Sequence, residues 1–173
     1  MPVKQYLDVA LILLVSIAAV NDLATRRIPN RLLLAGLVCA FFLHAYSADP
    51  ASSVLSALGG MGVGFVVFLP FYLLHGMAAG DVKMIATVGA FIGPAEAFHV
   101  AMLSWCVGGL MALLMVACRG RLSMLLSNVG RMLGGALIPG VGIAAPGQTS
   151  VGSMPYGVAI AIGTMTVLVR DYS

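Results

Sequence analysis

Six apolar runs, the first five separated by short polar stretches and the sixth by a longer connector, constrain this chain more than any other feature: residues 6–20, 32–46, 54–74, 82–92, 97–117 and 155–169. A helix needs about 20 apolar residues to cross bilayer hydrocarbon, within a range of about 17–25. Composition agrees, with 61% of residues hydrophobic and 9% charged, against about 45–50% and about 25% in soluble domains. The expected fold is all-α: a polytopic membrane helix bundle of about six transmembrane helices, with residues 1–173 as a single membrane-embedded domain. The run at 82–92 is short, so it has to tilt, be shielded by neighbours or begin before Asp81. It stops at Gly93-Pro94, a helix-ending signal. In the third run Gly59, Gly60, Gly62 and Gly64 offer a flat face for close helix contact.

Charge assigns the sides. With alternating spans, Arg26, Arg27, Arg31, Lys83, Arg119, Arg121 and Arg131 fall on one side, and only Lys4 and Arg170 on the other. Seven against two makes the first side cytoplasmic by the positive-inside rule, which leaves both termini outside the cytoplasm. The net charge of +3 therefore reports orientation in a lipid bilayer, and no Lys/Arg run resembles a nucleic-acid footprint. The N-terminal run reads as an uncleaved first span, because Asp8 interrupts it and "TRR" follows where a signal peptide would be small and polar. Residues 119–138 read as an amphipathic helix in the interface plane, inside a connector of about 119–150 that equally fits a simple link.

Metal and disulfide chemistry find little support. Cys39, Cys106 and Cys118 share no short spacing, and His44, His75 and His99 are scattered. No zinc site, cofactor or disulfide framework is expected.

Six acidic residues remain: Asp8, Asp22, Asp49, Asp81, Glu96 and Asp171. Four fall near the outer face. Asp22 and Asp81 alone fall on the cytoplasmic side, each at the edge of an apolar run, and an even number of crossings returns them to one depth. Two close carboxyls cannot both ionise, so they share a proton. The ionised member can take a proton from water while the protonated member polarises the carbonyl under attack, and this needs no metal. Gly80 before Asp81 permits close approach and an irregular turn. Lys83, two residues on, either biases the pair or snorkels to headgroups. A proton-coupled carrier or a pilus-assembly scaffold also fits buried carboxylates, although no internal repeat supports a carrier.

The stretches "NDLATRRIPN" at 21–30, "AAGDVKMIA" at 78–86 and "MPYGVAIAIG" at 154–163 resemble those of the bacterial type IV prepilin peptidases, which are membrane aspartic proteases. That family carries one aspartate before an R-R-I-P-N-like stretch and a second in G-x-G-D before V-K. The resemblance implies that Asp22 and Asp81 are the catalytic pair; Gly80 and Lys83, which flank Asp81, are the expected supporting residues. It implies a prepilin substrate, made of a basic leader and a hydrophobic helix, cut at the cytoplasmic face of the inner membrane. A preflagellin peptidase-like relative would share this logic. Ala78 replaces the motif's first glycine. Asp22 to Arg31 leads directly into the second run without the four cysteines of larger members, as in the small peptidase-only form of Flp/Tad pilus systems. The "RRIPN" stretch also reads as a tight turn, with Pro29 keeping Ile28 out of helix and Asn30 as a helix cap. The oligomeric state stays open.

Overall fold

The computed structural model describes residues 2–74, 76–118 and 155–172. They form six helices and, among the described residues, no strand: α1 (Pro2–Thr25), α2 (Asn30–Ala45), α3 (Pro50–Leu73), α4 (Ala79–Ile92), α5 (Pro94–Cys118) and α6 (Tyr156–Asp171). The amphipathic helix expected at 119–138, and the 119–150 connector around it, lie outside these residues. The chain groups into two compact units, one of Met1–Gly108 with Pro155–Ser173 and the other of Gly109–Met154.

Helix ends follow local chemistry. Asp49 caps α3, its carboxylate accepting the Ser52 N–H at 3.4 Å, and Pro50 opens the first turn, where a missing N–H costs nothing. Gly93 ends α4 at φ 82, ψ 176, a region open essentially to glycine alone. Pro94 then starts α5, as the Gly-Pro signal predicted. Pro29 precedes α2 in extended conformation. Asn30 does not cap that helix: it is the first helical residue, and its carboxamide accepts Lys83 Nζ at 3.2 Å instead. Pro29 has already set the turn that a cap would have set.

Three helices are long and apolar enough to cross a membrane, at Val3–Thr25, Pro50–Leu73 and Pro94–Met115. Helix α1 shows why lipid is its medium. It buries Leu7, Leu11, Val15 and Ala18 while exposing Val9, Leu13, Ile17 and Val20. A helix apolar on its outward face as well as its core face suits hydrocarbon rather than water. The chain is a membrane protein.

The 14-residue α4 reaches only about 21 Å at 1.5 Å per residue. It begins before Asp81 and is shielded: every residue from 84 to 91 is buried, and α1, α2, α3 and α6 all pack on it. Its tightest neighbour is α3. A Cβ on Gly60 would collide with the Gly89 carbonyl, one on Gly89 would collide with the Gly60 carbonyl, and one on Gly64 would lie 2.6 Å from Ile85 O. Backbone therefore meets backbone through a Gly-x-x-x-Gly pair. The four-glycine face predicted for this helix reduces to two. Gly59 meets only Pro94 at 3.7 Å and Gly62 meets nothing within 4 Å, because a helical period cannot bring all four to one side.

At the N-terminus of α1 a polar clasp joins the chain ends. Lys4 pairs with Asp171 at 3.0 Å, Arg170 with Glu96 at 2.7 Å, and the Tyr172 hydroxyl donates to Asp8 at 2.5 Å. Asp8, placed by the sequence near the outer face, is a buried residue held by that hydroxyl.

Candidate active site

Asp22 occupies the last turn of α1 rather than a loop beyond it, since the helix continues to Thr25. The chain leaves through Arg26, whose φ of 55 is uncommon for a residue with a side chain; its N–H closes the turn on Asp22 O at 2.9 Å. Ile28 then packs beside Gly80, where a Cβ would lie 3.5 Å from the Ile28 Cβ. This contact, with the Lys83–Asn30 bond, draws the first turn of α4 against the turn between α1 and α2.

Asp81 sits in that first turn. It is 6% exposed and Asp22 is 5% exposed. The two are 59 positions apart in sequence (81 − 22), and the packing of α4 against α1 brings their helices together. Each carboxylate has a backbone donor. Asp81 Oδ2 accepts the Ala78 N–H at 3.3 Å, and Asp22 Oδ2 accepts the Gly157 N–H at 2.8 Å. Gly157 is the second residue of α6, so Asp22 meets the positive end of a helix dipole, a donor suited to an ionised carboxylate.

The supporting residues behave differently from one another. Gly80 adopts no left-handed backbone, and a Cβ there would make ordinary contact. The extended residue lies two positions earlier, at Ala78, with φ −80 and ψ 149. Alanine adopts that conformation without strain, so the substitution for the motif's first glycine leaves the turn intact. Lys83 points away from the pair, is exposed and donates to Asn30.

Two residues of α6 lie near the aspartates without having been singled out. A Cβ on Gly157 would lie 2.9 Å from Asp22 Oδ2 and 3.2 Å from its Cβ, so only glycine lets α6 approach the carboxylate. Tyr156, partly buried beside Phe68 at a centroid distance of 6.0 Å, lies within electrostatic range of Asp81. The signal was the "YG" inside "MPYGVAIAIG"; what it lacked was a partner. Among the described residues no group of three or more His, Cys, Asp and Glu is arranged to hold a metal ion.

Two buried carboxyls, each held by a main-chain N–H, have the chemistry to share a proton and activate a water once they close on a substrate. No curated protein and no solved structure matches the chain. The model of the type IV leader peptidase family matches residues 9–113, more than half of the chain, spanning both aspartates and ending before α6. The chain belongs to the type IV leader peptidase family.

Proposed function

We propose that this protein is a membrane aspartic endopeptidase that removes the leader peptide of type IV, Flp-type prepilins at the cytoplasmic face of the bacterial inner membrane. The observation that carries this reading is the buried Asp22–Asp81 pair, with both side chains placed by backbone donors. Asp22, on the N-terminus of α6, is the ionised member and takes a proton from water. Asp81 keeps the shared proton and donates it in a hydrogen bond to the scissile carbonyl. The water oxygen bonds to the carbonyl carbon, the C–N bond breaks, and the proton taken by Asp22 passes to the leaving amine. Lys83 and Gly80 support this arrangement by docking the first turn of α4 onto the α1–α2 turn.

The architecture proposed for this activity is one membrane-embedded domain crossing the bilayer six times, with both termini outside the cytoplasm. The seven-to-two distribution of basic residues supports that orientation. The short passage of residues 26–29 between α1 and α2 supports the small peptidase-only form. The test is co-expression with an Flp-type prepilin carrying an epitope tag. Wild type produces the leader-sized mobility shift, and Asp22→Asn and Asp81→Asn each abolish it while remaining in the membrane fraction. Processing at the wild-type rate by either variant overturns the assignment.

A further inference from the structure

On a face separate from the two aspartates, α2, α3 and α4 enclose a groove of about 550 Å³, inside the range of about 300–1,000 Å³ for small-ligand sites. Its walls are Leu34 and Leu37 on α2 and Met61 and Phe65 on α3. Gly62 keeps it open, because no atom lies within 4 Å of where its Cβ would be. At the mouth, Lys83 Nζ donates to Asn30 Oδ1 at 3.2 Å, and both residues line the groove. An ammonium carries three protons, so this bond leaves donors for a second partner. None of the lining residues is acidic.

The layout is a cation over an apolar trough. Leu37 lies seven residues beyond Asn30, about 10 Å along α2, so the trough runs from the charged end toward the middle of the bundle. Pro29 gives α2 no side-chain cap, which leaves the positive end of that helix beside Lys83. Exposed Arg31 adds charge at the same level. An apolar peptide helix would leave Lys83 unanswered, and a basic peptide would be repelled by it. A molecule with an anionic head and a long apolar tail answers both features.

We infer that the groove holds one anionic phospholipid, its phosphate on Lys83 and one acyl chain along Leu34, Leu37 and Phe65. The site depends on the protein lying in a bilayer and not on its peptidase activity. Lys83 and the neighbouring arginines are assigned to the cytoplasmic side, where juxtamembrane basic residues attract anionic headgroups.

Native mass spectrometry of the delipidated full chain tests this with phosphatidylglycerol and phosphatidylcholine of identical acyl chains. Wild type is expected to retain one phosphatidylglycerol per chain, about fivefold more tightly than phosphatidylcholine, the contribution of one basic residue near an anionic headgroup. Lys83→Gln erases that preference. Gly62→Leu fills the groove and weakens retention of both lipids. Equal retention of the two lipids by wild type overturns the inference, as does a preference that survives Lys83→Gln. Unchanged retention in Gly62→Leu also overturns it. If that variant instead raises the KM for prepilin with lipid retention intact, the groove belongs to the substrate helix. Should Gly62→Leu fail to fold, the surface variant Lys83→Gln decides alone.

Discussion

Gly157 has no side chain, yet the position of Asp22 depends on it. A methyl group there would press on the carboxylate oxygen at 2.9 Å and on the Asp22 Cβ at 3.2 Å, and Asp22 would have to swing away from the α6 N-terminus. A displacement on the order of 1 Å at a catalytic group can cost about 100-fold in rate. Gly157→Ala is therefore expected to lower prepilin cleavage about 100-fold, with a thermal midpoint close to wild type. A fall in activity matched by collapse of the fold would speak against a positioning role. The Asn variants of the two aspartates are the stronger lesion, at least about 1,000-fold each, as for removal of groups that act as a unit. Their effects in the double variant should not multiply, which single-turnover cleavage assays would show.

At the scale of the element, α4 carries Asp81 and is held by α3 through bare backbone. Gly60 and Gly89 would each drive a Cβ into the other's carbonyl, and Gly64 would do so at 2.6 Å from Ile85 O. Main chain cannot move aside as a long side chain can. Gly64→Ala is expected to destabilise the bundle by about 1–3 kcal/mol, the usual overpacking range, read as a lower thermal midpoint in detergent. Because the same helix positions Asp81, cleavage should fall with it. Some limits of the helices were readable in advance: Pro29 and the Gly93-Pro94 pair mark them by backbone chemistry that needs no tertiary information, whereas the helix read from residue 54 begins four residues earlier, at Pro50. The choice of Gly60 and Gly64 over Gly59 and Gly62 was not readable, since periodicity names the faces but not which face meets a neighbour. The pairing of Asn30 with Lys83 was hidden for a related reason: 53 positions separate them, and a carboxamide ahead of a helix looks the same whether it caps or reaches across.

For the whole molecule, both aspartates of the candidate site were visible as residues and not as a geometry. Sidedness selected Asp22 and Asp81 from six acids, and the other four have partners at other places: Asp49 as a cap, Asp8 on Tyr172, Glu96 on Arg170 and Asp171 on Lys4. The donor for Asp22 comes from 135 positions away, a contact that no local pattern encodes. The clasp between chain ends is open to solvent, with the Lys4 and Asp171 side chains 60% and 37% exposed. Exposed pairs contribute about 0–1 kcal/mol, so Lys4→Gln should leave both thermal midpoint and cleavage near wild type. Orientation can be checked directly. Single cysteines at positions 47–53 should react with an impermeant maleimide added to intact spheroplasts, and cysteines at 26–31 should react only after lysis.

The bond from Gly157 to Asp22 also orders events during biosynthesis. A ribosome that has delivered both acids has not yet delivered α6, and until α6 inserts, the Asp22 carboxylate lacks the Gly157 amide that holds it. Under the proposed mechanism, cleavage is expected to begin only once that helix has inserted, so a product truncated before Tyr156 should leave a co-expressed prepilin unprocessed.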